Sequence, residues 1–522
     1  MDIQDINDIE RATQISRGEL FRVGITLFFI VAIMLFTSVR ITGGHNSTLL
    51  VVAAIIGGYM AMNIGANDVA NNVGPAVGAR ALSLTGAIIL AAVFEAAGAL
   101  IAGGDVVGTI KQGIIDPNLI ADAQTFIWLM ISGLLAGAIW LNIATALGAP
   151  VSTTHTIVGG VLGAGIAAGG VEIANWDIVI AITASWIISP FLGGGIAAAF
   201  LYFIKRNITY QENMIGAAKT VVPFLVGGMV WAFATYLLLK GVNKIFYIGF
   251  FPSILFAASI SGVIYFIIKP VIVRLASKLP NDKNSVNSLF TIPLIFAAAL
   301  LSFAHGANDV ANAVGPLAAI NETINSGNIT QQAHIPIWVM VVGATGIVLG
   351  LILYGPRLIR SVGSEITELD KMRAFCIAMA AAITVILASQ LGLPVSSTHI
   401  AVGGVFGVGF LREYIKHSYG GRIEEIKYHF AEKEPEIIEN YLIEFEKASI
   451  IRKQEMLTEL KLKSAKTHLN KKQRKSLQKI YSQELVKRSQ LLKIVAAWVV
   501  TVPMAGLLGA ILYFTITGLV VP

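Results

Sequence analysis

The chain has 522 residues, 55% of them hydrophobic and only 13% charged, with a mean hydropathy of +0.73. Soluble globular chains carry about 25% charged residues, so water is not the main solvent here, and disordered or fibrous classes are excluded. The formal net charge of +7 is local, because residues 411–493 hold 19 Lys and Arg against 12 Asp and Glu while the rest carries 19 of each. That pattern reads as a solvated face and not as a nucleic-acid footprint. One cysteine, Cys376, allows no intrachain disulfide and no thiolate metal cluster.

A bilayer core of about 30 Å takes roughly 20 apolar residues per helix. Thirteen candidate spans follow in chain order: 21–41, 47–64, 82–104, 125–149, 151–170, 177–204, 219–240, 245–268, 289–305, 335–354, 373–393, 395–411 and 493–519. The spans 151–170 and 395–411 each follow a proline, so half-helices or re-entrant hairpins are the alternative to full crossings. Residues 1–20 carry five acids beside Arg11 and Arg17, which does not fit a cleavable signal peptide. Placing 411–493 in the cytoplasm puts 34 Lys and Arg inside and leaves only Arg40, Lys111, Lys240 and Lys244 outside. The expected orientation is N-terminus in and C-terminus out, in the plasma or inner membrane.

The chain repeats itself. Gly65–Pro75 recurs as Gly306–Pro316 with ten of eleven residues identical, and Pro150-Val-Ser-Thr-Thr-His155 recurs as Pro394-Val-Ser-Ser-Thr-His399. The offsets are 241 and 244, and a third echo pairs Trp186 with Trp498 at 312. The jump in offset falls where the charged stretch lies, so 411–493 interrupts the second repeat. The expected organisation is 1–46, a cytoplasmic N-terminus with an extra helix; 47–204, the first repeat; 205–288, linking helices; 289–410, the first part of the second repeat; 411–493, the charged cytoplasmic helical insert; and 494–522, the last helix of the second repeat. Equivalent spans are seven apart, an odd number, so the repeats run in opposite directions. Secondary transporters are built this way, with the site where the halves meet. The fold class is thus an all-α polytopic membrane protein of 12–13 helices with inverted repeats and broken or re-entrant helices.

Gly65–Pro75 and Gly306–Pro316 place glycine, proline and asparagine in apolar surroundings, which predicts unwound backbone beside protein or a water-filled cavity. Asn67, Asp68, Asn71 and Asn72, with Asn308, Asp309 and Asn312, offer hard oxygens suited to Na⁺ or to a proton. An aspartate at mid-bilayer costs about 2.5–3.5 kcal/mol on insertion scales, so two in matched places demand a use. Helix capping is the plainer alternative. In the second motif, Ser152, Thr153 and Thr154, mirrored by Ser396, Ser397 and Thr398, sit at helix starts, where hydroxyls and free N–H groups cradle an anion. With no Lys or Arg near either motif, co-bound cations must balance the anion. His155 and His399 are candidates for orienting those hydroxyls. Glu95 is read three ways: a proton carrier, a cation ligand, or a hydrogen bond to a neighbouring helix.

At these residues the sequence resembles the PiT family of inorganic phosphate transporters, through Gly-Ala-Asn-Asp-Val-Ala-Asn in both halves and the paired Pro-Val-Ser-(Thr/Ser)-Thr-His motifs. The resemblance covers about 47–204, 289–410 and 493–519. It implies import of phosphate, free or as a metal complex, coupled to co-transported Na⁺ or H⁺, with no other cofactor and a twelve-helix core. It also implies that Asn67, Asp68, Asn308 and Asp309 fall on cation- and phosphate-site positions, and the six Ser/Thr residues on phosphate-site ones. Many sodium-coupled members carry a glutamate in each half; Glu95 matches the first, while Ala378 stands at the second. Their large hydrophilic loop lies between the halves, whereas 411–493 lies within the second.

The rival cargo is sulfate, carried by members of the same family. A distant alternative, an intramembrane aspartyl protease, would use Asp68 and Asp309, but their identical contexts and the hydroxyl motifs speak against an enzyme. The insert is read as a solvated helical extension, with a regulatory or homo-oligomer-forming hairpin as its alternative. Besides phosphate, the expected partner is membrane lipid, and nucleic acid is not expected.

Overall fold

The computed structural model describes residues 3–40, 47–149, 151–244, 246–329, 335–365, 369–429 and 488–520, with short pieces at 443–445, 452 and 455–456. Pro150 and most of the insert lie outside the described residues. The described chain is helical: α1 (Ile3–Arg40), α2 (Ser47–Asn67), α3 (Val69–Gly78), α4 (Leu84–Ala102), α5 (Gly104–Gly108), α6 (Ala123–Ala146), α7 (Thr153–Gly169), α8 (Trp176–Ile204), α9 (Met214–Lys240), α10 (Phe250–Ala276), α11 (Lys283–Leu289), α12 (Thr291–Asp309), α13 (Ala311–Ser326), α14 (Ile337–Glu365), α15 (Lys371–Gln390), α16 (Ser397–His429) and α17 (Arg488–Val520).

Eleven described helical stretches are long and apolar enough to cross a membrane. The two expected spans missing from that number are α7 and the apolar start of α16. With 17 residues, α7 reaches about 25 Å at 1.5 Å per residue, a little short of the bilayer core. α16 leaves its apolar stretch for polar sequence within one 33-residue helix. The chain is a multi-pass membrane protein.

Its core and its lipid face separate cleanly. The apolar window within Thr291–Ser326 is 89% buried inside the protein, whereas that of Phe250–Ala276 is 11% buried, so α12 and α13 are central and α10 faces lipid. α1 is likewise peripheral, seating Phe29 and Ile33 on α2 beside Gly58.

The halves are intertwined rather than set side by side. α2 packs on α14 of the second half, and α12 packs on α4 of the first; α7 packs on α17, and α16 on α8. Both crossings of each kind are made at matched glycines. A Cβ on Gly163 would lie 2.0 Å from the Gly506 carbonyl oxygen, and one on Gly407 would lie 2.0 Å from that of Gly194. Without a hydrophobic drive between helices in lipid, such backbone contact is what holds them together.

One local expectation is corrected. The backbone at Gly65–Pro75 and Gly306–Pro316 does not unwind. It is interrupted at single residues, Asp68 (φ −80°, ψ −35°) and Val310 (φ −56°, ψ −30°), and Pro75 and Pro316 lie inside α3 and α13. At each interruption a bond tightens to the i→i−3 pattern, with the Asn71 N–H on the Asp68 carbonyl at 2.9 Å and the Ala313 N–H on that of Val310 at 3.1 Å. In an apolar solvent each unpaired backbone group costs several kcal/mol, so the chain keeps its backbone bonds and offers side chains to the site.

Candidate functional site

The site forms where the α2–α3 and α12–α13 breaks meet the N-termini of α7 and α16. The first asparagine of each motif braces a hairpin. Asn67 Nδ2 donates to Thr145 Oγ1 at 3.0 Å and to the Ala149 carbonyl at 3.2 Å. Asn308 Nδ2 donates to Ser389 Oγ at 2.9 Å and to the Leu393 carbonyl at 3.4 Å. These are repeat-equivalent contacts. The Val151 N–H also donates to Asn67 Oδ1 at 3.3 Å, tying the start of α7 to the break in α2.

The next asparagine reaches across to the other half. Asn71 Nδ2 donates to Thr398 Oγ1 at 2.9 Å, and Asn312 Nδ2 donates to Thr153 and Thr154 at 3.1 and 3.2 Å. Thr154 in turn donates to the Val395 carbonyl at 3.0 Å. Each half thus orients the hydroxyl cradle of its partner.

The aspartates sit at the centre, Asp68 1% and Asp309 0% exposed. Asp68 accepts hydroxyl bonds from both halves, from Thr153 at 2.7 Å and from Thr398 at 2.9 Å. Asp309 Oδ2 lies 3.4 Å from the hydroxyls of both Thr153 and Ser397. Thr153 therefore touches both carboxylates. Ser152 and Ser396 play another part: their Oγ atoms accept the N–H groups of His155 and His399 at 3.1 and 3.2 Å, which is N-capping. That leaves the Thr153 and Thr154 N–H groups, with their counterparts at Ser397 and Thr398, outside the helical ladders.

His305, which the sequence reading did not single out, completes the centre. It is fully buried, with Nδ1 2.7 Å from Glu95 Oε2 and Nε2 2.9 Å from Asp309 Oδ2. The second carboxylate oxygen of Glu95 accepts from Asn72 Nδ2 at 2.8 Å. Asp68, His305 and Asp309 each present a ligand atom within 4.8 Å of the others, a grouping able to hold a small cation. The sequence did carry a signal. A histidine in an apolar span is costly, and its repeat counterpart is Ile64.

Glu95 also has a counterpart. A Cβ on Gly306 would lie 2.2 Å from the Glu95 carbonyl oxygen, and one on Gly65 would lie 1.9 Å from that of Ile347. The contacts are equivalent, so Ile347 is the repeat partner of Glu95. Asn72, which holds Glu95, is replaced by Ala313, the single mismatch between the two eleven-residue motifs. This corrects the expectation that Ala378 stands at the equivalent position: Ala378 is buried in α15, corresponds to Leu134 and brings no second carboxylate to the site.

His155 and His399 point away from the cradle. His155 packs on Trp186 with ring centroids 3.8 Å apart, His399 on Trp498 at 3.5 Å, and the two imidazoles meet edge-on at 4.3 Å. They join the halves rather than orient the hydroxyl side chains.

Comparison with known proteins places the chain in one family. The model of the phosphate transporter family matches residues 64–509, which include both motif pairs. The chain belongs to that family. It is 51% identical over 525 residues to a Helicobacter pylori (strain J99) protein named "Putative phosphate permease", with 98% of each chain covered. A relative of the same description from Pyrococcus horikoshii is 39% identical over 366 residues, covering 70% of this chain and 89% of its own. Among solved structures, "The sodium-dependent phosphate transporter" is similar with a TM-score of 0.74 and 30% identity, covering 90% of this chain and 99% of that one. The resemblance to the PiT family of phosphate transporters is borne out, and the chain is a transporter and not an enzyme.

Proposed function

We propose that this phosphate transporter is a symporter, importing inorganic phosphate together with a cation bound at Asp68 and Asp309. The observation that carries the reading is the Thr153 hydroxyl, 2.7 Å from Asp68 and 3.4 Å from Asp309, at the mouth of a helix whose first N–H groups face the same centre. An anion on Thr153, Thr154, Ser397 and Thr398 and a cation between the aspartates lie side by side, so each strengthens the other's binding by the same factor. Asn67 and Asn308 brace the two hairpins, and Asn71 and Asn312 link the halves, so movement of one half against the other reshapes both parts of the site together.

Hard carboxylate and amide oxygens favour Na⁺ as the coupling ion, and the similar solved structure is named as sodium-dependent. The Glu95–His305 contact supports a second reading, in which a proton is carried there. Basic residues favour a cytoplasmic N-terminus and insert, with the C-terminus outside. Uptake of radiolabelled phosphate into proteoliposomes, with Na⁺ and pH gradients imposed separately, tests coupling. We expect accumulation driven by the Na⁺ gradient; accumulation with neither gradient refutes symport. Excess unlabelled sulfate should leave uptake unchanged, and full competition would make sulfate the cargo.

A further inference from the structure

A cavity of about 400 Å³ lies beside the site without being part of it. Its walls come from α1, α2, α6 and α14, and polar side chains reach it from each: Arg22, Tyr59, Asn63, Asn142 and Arg357 among them. Its inner end is marked by Thr145, which accepts the Asn67 amide at 3.0 Å, and Asn67 is the residue before Asp68. The other end carries the two arginines, on the face proposed above to be cytoplasmic.

The polar lining is not imposed by the repeat. Tyr59, Asn63 and Asn142 correspond to Leu300, Ala304 and Ile386 in the second half, so these three polar groups have no counterpart there. α1 has no counterpart in either repeat, and it precedes the stretch matched by the family model. It nevertheless supplies Arg22, and it is pinned to α14 by a 2.9 Å hydrogen bond between the Thr26 and Tyr354 hydroxyls. Guanidinium, amide and phenol groups around a cavity of this size suit a small tetrahedral oxyanion.

We infer that this cavity is a second phosphate station, in which α1 contributes Arg22 to receive the anion as it leaves the central site past Asn67. The inference rests on the symporter reading and adds to it a residence point on the release path. Phosphate at the centre is balanced by a co-bound cation; once past Asn67 it meets the guanidinium groups of Arg22 and Arg357, the second 76% exposed and 3.6 Å from Glu19 Oε1, which draw it outward. A lipid headgroup phosphate shares the chemistry, and the phosphatidylglycerol arm of the experiment below separates it from free phosphate.

Equilibrium dialysis of the purified full-length protein against radiolabelled inorganic phosphate with NaCl, in a zwitterionic detergent, tests this. The wild type should bind two phosphates per chain. The double variant Arg22→Gln, Arg357→Gln should retain one, and the Arg→Lys pair should keep both, since charge is preserved. Asp68→Asn should weaken the central class and leave the second in place. One phosphate per chain in the wild type, or two unchanged in the glutamine variant, overturns the inference while leaving symport intact. Loss of the second class on adding phosphatidylglycerol assigns the cavity to a lipid headgroup and also overturns it. No phosphate bound by the wild type removes the symporter reading itself.

Discussion

The two halves of the site share ten of eleven motif residues, yet their aspartates live in different company. Asp68 is held by neutral hydroxyls, Thr153 and Thr398, one from each half. Asp309 is held by His305, and behind His305 stand Glu95 and Asn72. In the opposite repeat the positions equivalent to His305, Glu95 and Asn72 are Ile64, Ile347 and Ala313. A scaffold that repeats its backbone, its braces and its hydroxyl cradle therefore carries an ionisable cluster on one side only. Alternating access asks the halves to exchange shapes, which near-identical packing permits. Binding ions of unlike charge asks the site to be chemically uneven, and three substitutions supply that.

The largest effect should come from removing charge at the centre. Asp68→Asn and Asp309→Asn preserve size and hydrogen bonding, and each is expected to abolish gradient-driven accumulation while some phosphate binding survives. If Na⁺ couples transport, its stimulation of binding should vanish as well. A double mutant that still concentrates phosphate would remove both aspartates from coupling. The comparison sharpens if Asp68→Asn is tolerated and Asp309→Asn is not.

Next in size is the buried cluster itself. Glu95→Ile alone leaves His305 without one of its carboxylates, and breaking a buried ion pair from one side typically costs about 3–5 kcal/mol. The triple variant Glu95→Ile, His305→Ile, Asn72→Ala installs the residues of the opposite half and should recover most of that stability while losing coupled transport. Thermal unfolding in detergent measures the stabilities, and proteoliposome uptake measures the transport. A triple variant no more stable than Glu95→Ile would show that the three do not act as a unit.

Smaller again is the hydroxyl that touches both sides. Thr153→Val removes a hydrogen bond to a charged group, about 1.5–3 kcal/mol, so phosphate affinity should fall roughly ten- to hundred-fold. Ser397→Ala, whose hydroxyl lies 3.4 Å from Asp309, should cost less. Equal losses would mean that the cradle is more symmetric than its distances.

The smallest effects belong to the caps. Ser152→Ala and Ser396→Ala should each cost about 1 kcal/mol of stability and nearly equal amounts, because their capping bonds are 3.1 and 3.2 Å. A change in phosphate affinity matching that of Thr153→Val would return these serines to the ligand set.

Much of this was legible in the chain because the bilayer constrains it so strongly. Apolar runs of about 20 residues mark spans, and α4, α6, α8 and α15 fall within a few residues of where those runs lie. Both aspartates, Asn71, Asn312 and the Thr/Ser pairs converge as the repeat implied. The roles within the set were not legible. Asn67 and Asn308 look like ligands in sequence, and what the sequence does not show is that their Nδ2 groups also brace hairpins whose ends are Thr145 and Ser389, some 80 residues away in the chain. The continuous backbone through the breaks is not legible either, since glycine and proline signal a weak point without saying whether side chains will relieve it.

By itself the sequence determined the solvent, the repeat, the chemistry of the two motifs and the family that they mark. All of these depend on residue type and spacing along one dimension. Only the tertiary structure decided that each half packs on helices of the other, because such contacts form where backbones come close enough for Gly163 and Gly407 to touch carbonyls across the crossing. It alone placed His305 between Glu95 and Asp309, 210 residues apart and four residues apart respectively. A buried charge is stable only with its partner beside it, and which residue stands beside it is fixed by the packing of α4 on α12, which the order of residues along the chain does not specify.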